Sequence, residues 1–344
     1  MSGKMSPILA TVIPIFNESK YIEKCIESLV VQTLDASKHM ILVLDGGSTD
    51  GSIEIVKKMI TSSNQNGGPE IILHNNPGKY VAEARNLALK ILPDSVDLMV
   101  ELIGHCTVPE DHLSKRLEVW QNITDDSSSK VAGLGVRVLP SDGEKTMVET
   151  WIEATLSSTL GSGSGQFDNF SETGETRTPA FCMHSREAIK EIGGWDTDFI
   201  TSQDSDLSMR LQDSGFRLYR TNDTHVKMVK RTNFSSWLKM GYRYGFWRTK
   251  IIKKHPSRHS KREFLPWIGL ILSLILLLTS TQYWYIPSLI YALVIICEGL
   301  RFTIKWRKIS LLIGVPLSLL ALHITFSIGL IGGLVRKGRA SNDR

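Results

Sequence analysis

The feature that most constrains this chain is an abrupt loss of charge in its last third. Up to about residue 262 charged and apolar residues alternate as in a water-soluble protein, whereas across residues 264–335 charge nearly vanishes outside one short basic patch. The two stretches are suited to two different solvents, so one water-bathed core does not account for the whole chain. Residues 265–280 and 286–300 each approach the roughly 20 apolar residues that cross a bilayer, and a longer run covers 309–335. Trp267, Tyr283, Trp284 and Tyr285 stand at the ends of these runs, where amphipathic rings settle at a lipid boundary.

Charge sets the expected orientation. Basic residues precede the first run and follow the second at Arg301, Lys305, Arg307 and Lys308, while the turn at 279–285 is uncharged; both basic ends are therefore expected on the cytoplasmic side. The third run crosses once, giving three spans (264–281, 284–300, 309–335), or is broken at Gly314 and Pro316 into a re-entrant pair; the single crossing is the preferred reading. Just ahead, in 231–262, Phe234, Trp237, Leu238, Gly241 and Gly245 lie along one face of a helix with Arg243, Arg248, Lys250, Lys253 and Lys254 nearby. That pattern predicts a basic amphipathic helix lying in the interface. The expectation is a multi-pass protein of the cell membrane, with residues 1–230 as a cytoplasmic domain and 263–344 as the membrane part.

The net charge of +5 is concentrated between residue 227 and residue 262 and at the ends of the apolar runs, a distribution that suits anionic lipid. No helix-turn-helix, zinc or RNA-binding signature accompanies it, so no nucleic acid partner is expected. The four cysteines lie far apart, with no CxxC pair, and fit a reduced compartment. The first seven residues lack the apolar core of a signal peptide.

The first half alternates short apolar runs with helical periods. Strands are expected at 8–15, 40–44, 71–74 and 96–103, and helices at 21–32, after 51, and through Val81, Ala84, Ala88 and Ile91. Residues 40–44 form an unbroken apolar run ending in Asp45, as in a strand buried on both faces. The order predicts an α/β fold with a mostly parallel, doubly wound sheet, whose ligands sit beyond the carboxyl ends of the strands, where Asp45 and His105 fall. Residues 157–178 are rich in Gly, Ser and Thr, and read equally as a loop over a site or as a surface linker. Leu207, Arg210, Leu211 and Ser214 share a helical face ended by Gly215, and an inward arginine needs an anionic partner.

Five motifs stand in order: PIFNE at 14–18, DGGSTDG at 45–51, ARN at 84–86, GGWD at 193–196 and QDSDL at 203–207. Together with YRYGFW at 242–247 and the apolar tail, they resemble the family 2 glycosyltransferases, and within them the succinoglycan and exopolysaccharide glucosyltransferase-like subgroup. The resemblance implies a GT-A fold and an inverting, non-processive transfer of a hexose from a nucleotide sugar, a UDP-sugar first, to a lipid-linked glycan or exopolysaccharide acceptor. It places Pro14, Phe16, Glu18, Asp45, Arg85, Asn86, Ile103 and Gly104 on the nucleotide-sugar side, Trp195, Asp196, Gln203 and Arg210 on the acceptor side, and Asp204 as the catalytic base.

The residues carry physical reasons of their own, each beside a plainer one. Asp45 and Glu18 can accept the N–H of a base, or simply cap turns. Arg85 can neutralise a diphosphate, or be an ordinary helix arginine. An attacking hydroxyl must lose its proton, and Asp204 is placed to take it, or to cap its helix. Trp195 can stack on a sugar, or pack in the core.

Two departures from the family pattern matter. Where relatives carry Asp-x-Asp or Asp-x-His, this chain reads Ile103, Gly104, His105, losing a hard oxygen ligand for a divalent cation. His105 can still take Mn²⁺, less readily Mg²⁺, with diphosphate oxygens; His225 and Glu101 are further candidates. The erosion leaves open a silent sugar-nucleotide-binding partner protein. No Gln-x-x-Arg-Trp motif follows Asp204, unlike in processive relatives.

Overall fold

The computed structural model describes residues 6–126, 130–162, 170–258 and 261–338. They form two compact units: Met1–Asp142 with Gly165–Val229, and Gly143–Ser164 with Lys230–Arg344. Residues 143–164, assigned above to the first domain, thus group with the helical unit. Part of the Gly/Ser-rich stretch, 163–169, lies outside the described residues.

In the first unit β1 (Leu9–Ile15), α1 (Ile22–Val30), β2 (His39–Asp45), α2 (Ser52–Gln65), β3 (Glu70–Asn75), α3 (Val81–Ile91) and β4 (Leu98–Glu101) alternate. Then come β5 (Cys106–Thr107), α4 (His112–Asp126) and β6 (Val131–Pro140). The helices α5 (Met147–Leu156) and α6 (Thr159–Ser162) belong to the second unit, after which β7 (Gly174–Glu175), β8 (Met183–Ser185), α7 (Arg186–Glu191), α8 (Gln203–Asp213) and β9 (Arg217–Met228) complete the first.

The sheet runs β3-β2-β1-β4-β8-β6-β9-β5, with β7 on β9. It is parallel from β3 to β4, but β8 runs antiparallel to both β4 and β6, so the sheet is mixed. Alternation sorts the strand side chains between two cores. Val12, Leu42 and Leu44 face Ala84 and Ala88 of α3 and Leu207 and Leu211 of α8, while Ile13, Ile41 and Val43 face Ile22, Ile26 and Leu29 of α1 and Val56 of α2. Every residue of β2 is buried, which is why it reads as an unbroken apolar run. Because β1, β2 and β4 are parallel, Asp45 and Glu101 both close strands toward the carboxyl edge of the sheet with β1 between them, Asp45 in register with Ile15 and Glu101 with Val12, three residues earlier.

The second unit contains α5, α6, α9 (Phe234–Lys254), α10 (Leu265–Leu278), α11 (Ile286–Trp306) and α12 (Leu311–Val335). Both α11 and α12 are long and apolar enough to cross a membrane. α12 is one continuous helix with Pro316 inside it, so it does not break into a re-entrant pair. Pro316 has no N–H for the Leu312 carbonyl one turn back, and Gly299 of α11 comes up against both.

The aromatic face of α9, expected to lie on lipid, is covered by α12. Trp237 is fully buried and its Nε1 donates to the Ser318 carbonyl at 3.0 Å, and Thr249 donates to Leu330 at 2.9 Å. The two helices meet backbone to backbone: a Cβ at Gly245 would strike the Phe326 carbonyl, and one at Gly329 the Tyr242 carbonyl. Small residues are what permit such an approach.

Candidate active site

The loops after β1 and β2 are tied to each other. Asn17 N–H donates to Ser48 Oγ at 2.8 Å, Thr49 N–H to Asn17 Oδ1 at 2.8 Å, Glu18 N–H to Ser52 Oγ at 2.8 Å, and Ser19 N–H to Asp50 Oδ2 at 2.9 Å. Asn17 reaches this geometry with φ of 56°, a left-handed conformation asparagine tolerates better than most residues. Asp45 is buried and accepts from Gly47 N–H at 2.9 Å and Ser48 N–H at 3.1 Å. Both of its oxygens are engaged in its own turn, the capping role weighed above. Pro14 and Ile103 are half-buried and Phe16 is exposed along the same edge.

Glu18 and His105 come together: His105 Nδ1 lies 2.8 Å from Glu18 Oε1. Gly104 makes room, since a Cβ there would press on the Glu18 side chain at 3.0 Å. His225 is elsewhere, in register with Arg137 on β6, whereas Val229 is the residue that bonds the His105 carbonyl. Its pKa is lowered by burial and by Lys227 and Arg137. Among the described residues no three His, Cys, Asp or Glu side chains gather as a metal cluster. His105 and Glu18 are the side chains at this edge whose donor atoms a cation would accept, each bonded here to the other. Two protein ligands of this mixed nitrogen and oxygen type suit Mn²⁺ better than Mg²⁺.

A buried ionic cluster occupies the end of β4. Arg85 Nη2 lies 3.2 Å from Glu101 Oε2, and His184 Nε2 from β8 lies 3.3 Å from Glu101 Oε1, with all three side chains almost fully enclosed. Burial would raise the Glu101 pKa, but Arg85 and His184 outweigh it and hold the carboxyl below its ordinary range. Burial disfavours the His184 cation, yet Cys182 and Glu101 together raise its pKa to about 10. Arg85 Nε and Nη1 are buried without a hydrogen-bond partner among the described residues.

Asp204 lies in the first turn of α8, entered through Ser202 in a left-handed conformation with φ of 67°. Its pKa is raised, by burial first and then by the like charge of Glu101; Ser205 N–H at 2.8 Å and Arg85 oppose the shift. Two neighbouring carboxyls are thus driven apart, Glu101 locked as an anion and Asp204 made the stronger base. Neither Glu101 nor His184 was assigned to this cluster from sequence. The one available signal was a charged residue ending the otherwise apolar β4.

Several expected binding residues prove to be built into the frame. Asn86 uses its whole amide on Trp195, donating to the carbonyl at 2.7 Å and accepting from the N–H at 2.8 Å. Arg210 meets the anion its inward position required, Asp206 at 2.8 Å, and donates also to the carbonyls of Ile192 at 3.0 Å and Gly194 at 2.7 Å. The 193–196 turn is therefore held from α3 and from α8 at once. Gly194, with φ of 81°, sits so close to Asn86 Oδ1 that a Cβ would collide with it at 2.5 Å. Trp195 itself is 3% exposed and packs edge-on to His184, so its ring has no open face for a sugar. Asp196 caps its own turn through Asp198 N–H at 2.8 Å, and Gln203 Oε1 is buried beside Asp204 with no hydrogen-bond partner among the described residues.

Comparison with known proteins gives this arrangement its context. The model of glycosyl transferase family 2 matches residues 11–193, and that of glycosyl transferase family group 2 matches residues 106–331. The dolichyl N-acetyl-alpha-D-glucosaminyl phosphate 3-beta-D-2,3-diacetamido-2,3-dideoxy-beta-D-glucuronosyltransferase of Methanococcus voltae is 27% identical over 95% of this chain and 97% of its own length. The succinoglycan biosynthesis protein ExoA of Rhizobium meliloti (strain 1021) is 28% identical over 74% of this chain and 73% of its own. Among solved structures, the mannosyltransferase PcManGT from Pyrobaculum calidifontis, in complex with GDP-Man and Mn²⁺, superposes with a TM-score of 0.58 at 16% identity, covering 97% of this chain and 88% of that one. The chain belongs to glycosyl transferase family 2, and its first unit has the GT-A type of fold.

Proposed function

We propose that this family 2 glycosyltransferase moves one hexose per turnover from a nucleotide sugar, a UDP-sugar first, to a lipid-linked glycan at the cytoplasmic face of the membrane, with inversion at the anomeric carbon. The observation that carries the reading is the split between Glu101 and Asp204. A carboxylate of raised basicity at the start of α8 suits removal of the acceptor proton as the hydroxyl attacks, and burial, followed by the anion of Glu101, sustains that basicity. Arg85 and the carboxyl edge of β1, β2 and β4 are the features that suit a nucleoside diphosphate.

A lipid-linked acceptor is supported by the Methanococcus voltae relative, named for a dolichyl-linked sugar phosphate, and by the apolar helices of the second unit. The Mn²⁺ and GDP-Man in the PcManGT complex support a divalent cation and leave guanosine donors as the next to test. A bound divalent cation would neutralise the leaving diphosphate, and His105 and Glu18 are the side chains that would hold it.

The test offers the full chain, in detergent, radiolabelled UDP- and GDP-sugars with isolated membrane lipid, with and without Mn²⁺, beside Asp204→Asn. Donor-dependent labelling of lipid that falls about 10²- to 10⁴-fold in the variant is the expected result. Donor binding without transfer under any condition would instead favour a silent partner protein, the reading that the Ile103 substitution keeps open.

A further inference from the structure

α9 and α12 lie side by side and point the same way. Trp237, Thr249 and Lys253 of α9 donate to the carbonyls of Ser318, Leu330 and Leu334 of α12, and in every case the acceptor stands 81 positions further along the chain. An unchanging separation over about 24 Å of helix means that the two axes keep together from end to end. Whatever course α9 takes through or along a bilayer, α12 takes as well.

α9 is ill suited to crossing. Lys239, Arg243, Arg248, Lys250, Lys253 and Lys254 are spread along it, and it contains no acidic residue. At about 31 Å it only just matches the hydrocarbon thickness, so a crossing would leave several of these cations in the apolar interior, among the costliest groups to place there. A second helix lying on α12 is charged too. Trp151 of α5 covers Gly314, and Glu153 of the same helix is enclosed against Lys230 at 2.6 Å.

The remaining side of α12 is an apolar stripe. Ile313, Leu317, Leu320, Ile324, Ile328 and Ile331 recur every three or four positions and are each at least 40% exposed, whereas Leu319, Leu322 and Leu330 are buried. Basic residues close both ends, Arg307 and Lys308 before the helix and Arg336 and Lys337 after it. Lys250 donates to the Arg336 carbonyl at 2.6 Å, and both cations lie on the Phe246 ring, at 5.3 Å and 4.7 Å from its centre. A crossing helix takes its direction from an excess of basic residues at one end, and α12 has no such excess.

We propose that α12 does not cross the bilayer but lies along one leaflet, with its isoleucine and leucine stripe in the acyl layer and the cations of α9 and of its own two ends against anionic headgroups. The lipid contact that α9 lacks thus belongs to its partner helix, and both ends of α12 stay on one side of the membrane.

The test counts labels molecule by molecule. The full chain with Cys297→Ser, whose other cysteines are buried, is given Lys308→Cys and Lys337→Cys and sealed into vesicles of phosphatidylcholine and phosphatidylglycerol. A membrane-impermeant maleimide is added and intact mass is measured; both positions are exposed, so detergent brings every molecule to two labels. In sealed vesicles the expected molecules carry two labels or none. One label on every molecule, whichever way it inserted, marks a crossing helix and overturns the proposal. Nitroxides placed singly at Ile313, Ile324 and Val335 then read depth through oxygen and a nickel chelate. A shared depth of about 5–10 Å below the phosphates is expected; a profile deep at Ile324 and shallow at both ends overturns it. Spin-labelled phosphatidylglycerol should be held at the protein surface at least about twofold over spin-labelled phosphatidylcholine, with the preference fading in salt. Equal retention overturns the assignment of the cations to anionic headgroups.

Discussion

The two units of this chain place their apolar residues in opposite ways. In the first, Ile13, Leu29 and Leu44 are fully buried and the sheet is covered by helices, whereas in the second Leu278 is 75% exposed and Ile313 70% exposed. The first is held by aliphatic burial at about 25 cal/mol per Å² removed from water. Its interior also accepts charge, provided the charge is paired. In the second, whose helices α11 and α12 are long and apolar enough to cross a membrane, α9 and α12 join through glycines and hydrogen bonds. What differs is what joins the elements: aliphatic burial in one unit, close backbone approach in the other.

Four experiments sharpen or break that contrast. Glu101→Ala strands Arg85 and His184 in the first interior and should destabilise that unit by about 3–5 kcal/mol, read by hydrogen exchange of the β1 and β4 amides; Glu101→Gln should lose less. Exchange unchanged in the alanine variant would mean the buried charges are not paired in solution.

The next effect depends on pH. His39 is buried at the start of β2, and burial lowers its pKa from 6.5 to about 4, with Asp35 partly opposing. Its folded pKa is depressed, so its contribution is present above pH 6.5 and is lost as pH falls toward 4, of order 3 kcal/mol across the window. Melting of the full chain in detergent against pH should show this slope, and His39→Gln should flatten it. An identical slope in the variant would assign the acid sensitivity elsewhere.

Gly245→Val should then cost about 1–3 kcal/mol, because the new Cβ falls on the Phe326 carbonyl and the helices must part. Exchange should rise in α9 and α12 and stay unchanged in β1 and β2; a uniform rise would dissolve the distinction between the units. The smallest effect is expected at the surface. Lys227 meets Asp142 at 2.7 Å, but the aspartate side chain is 77% exposed, so Asp142→Asn should change stability by less than about 1 kcal/mol and less still in salt.

The legible parts of the molecule were those whose neighbours are local. β1, β2, β3 and β4 with α1 and α3 could be read because parallel core strands form apolar runs and helices show their period. β9 escaped, since Arg217, Arg220, Asp223 and Lys227 interrupt any apolar pattern and only its pairing with β6 makes it a strand. β8 is three residues long, too short for any period to show, and so His184 went unnoticed. At the site, residue identity was legible and use was not. Asp204, Arg85 and Asn86 were all singled out, but that Asn86 clasps Trp195 from 109 positions away is a tertiary fact no local pattern carries. The run at 309–335 left two courses open because Pro316 weakens a helix on its own, and the approach of Gly299 that accommodates it is again a distant contact.

The pairing of α9 with α12 also imposes an order of events on synthesis. Residues 255–310 separate them, including all of α10 and α11, so Trp237, Phe246 and the glycine face emerge from the ribosome well before their cover exists. Until translation reaches Val335, a nascent chain has to keep that aromatic face from sticking to something else, which makes the closing helix the step that commits the newborn protein to its native form.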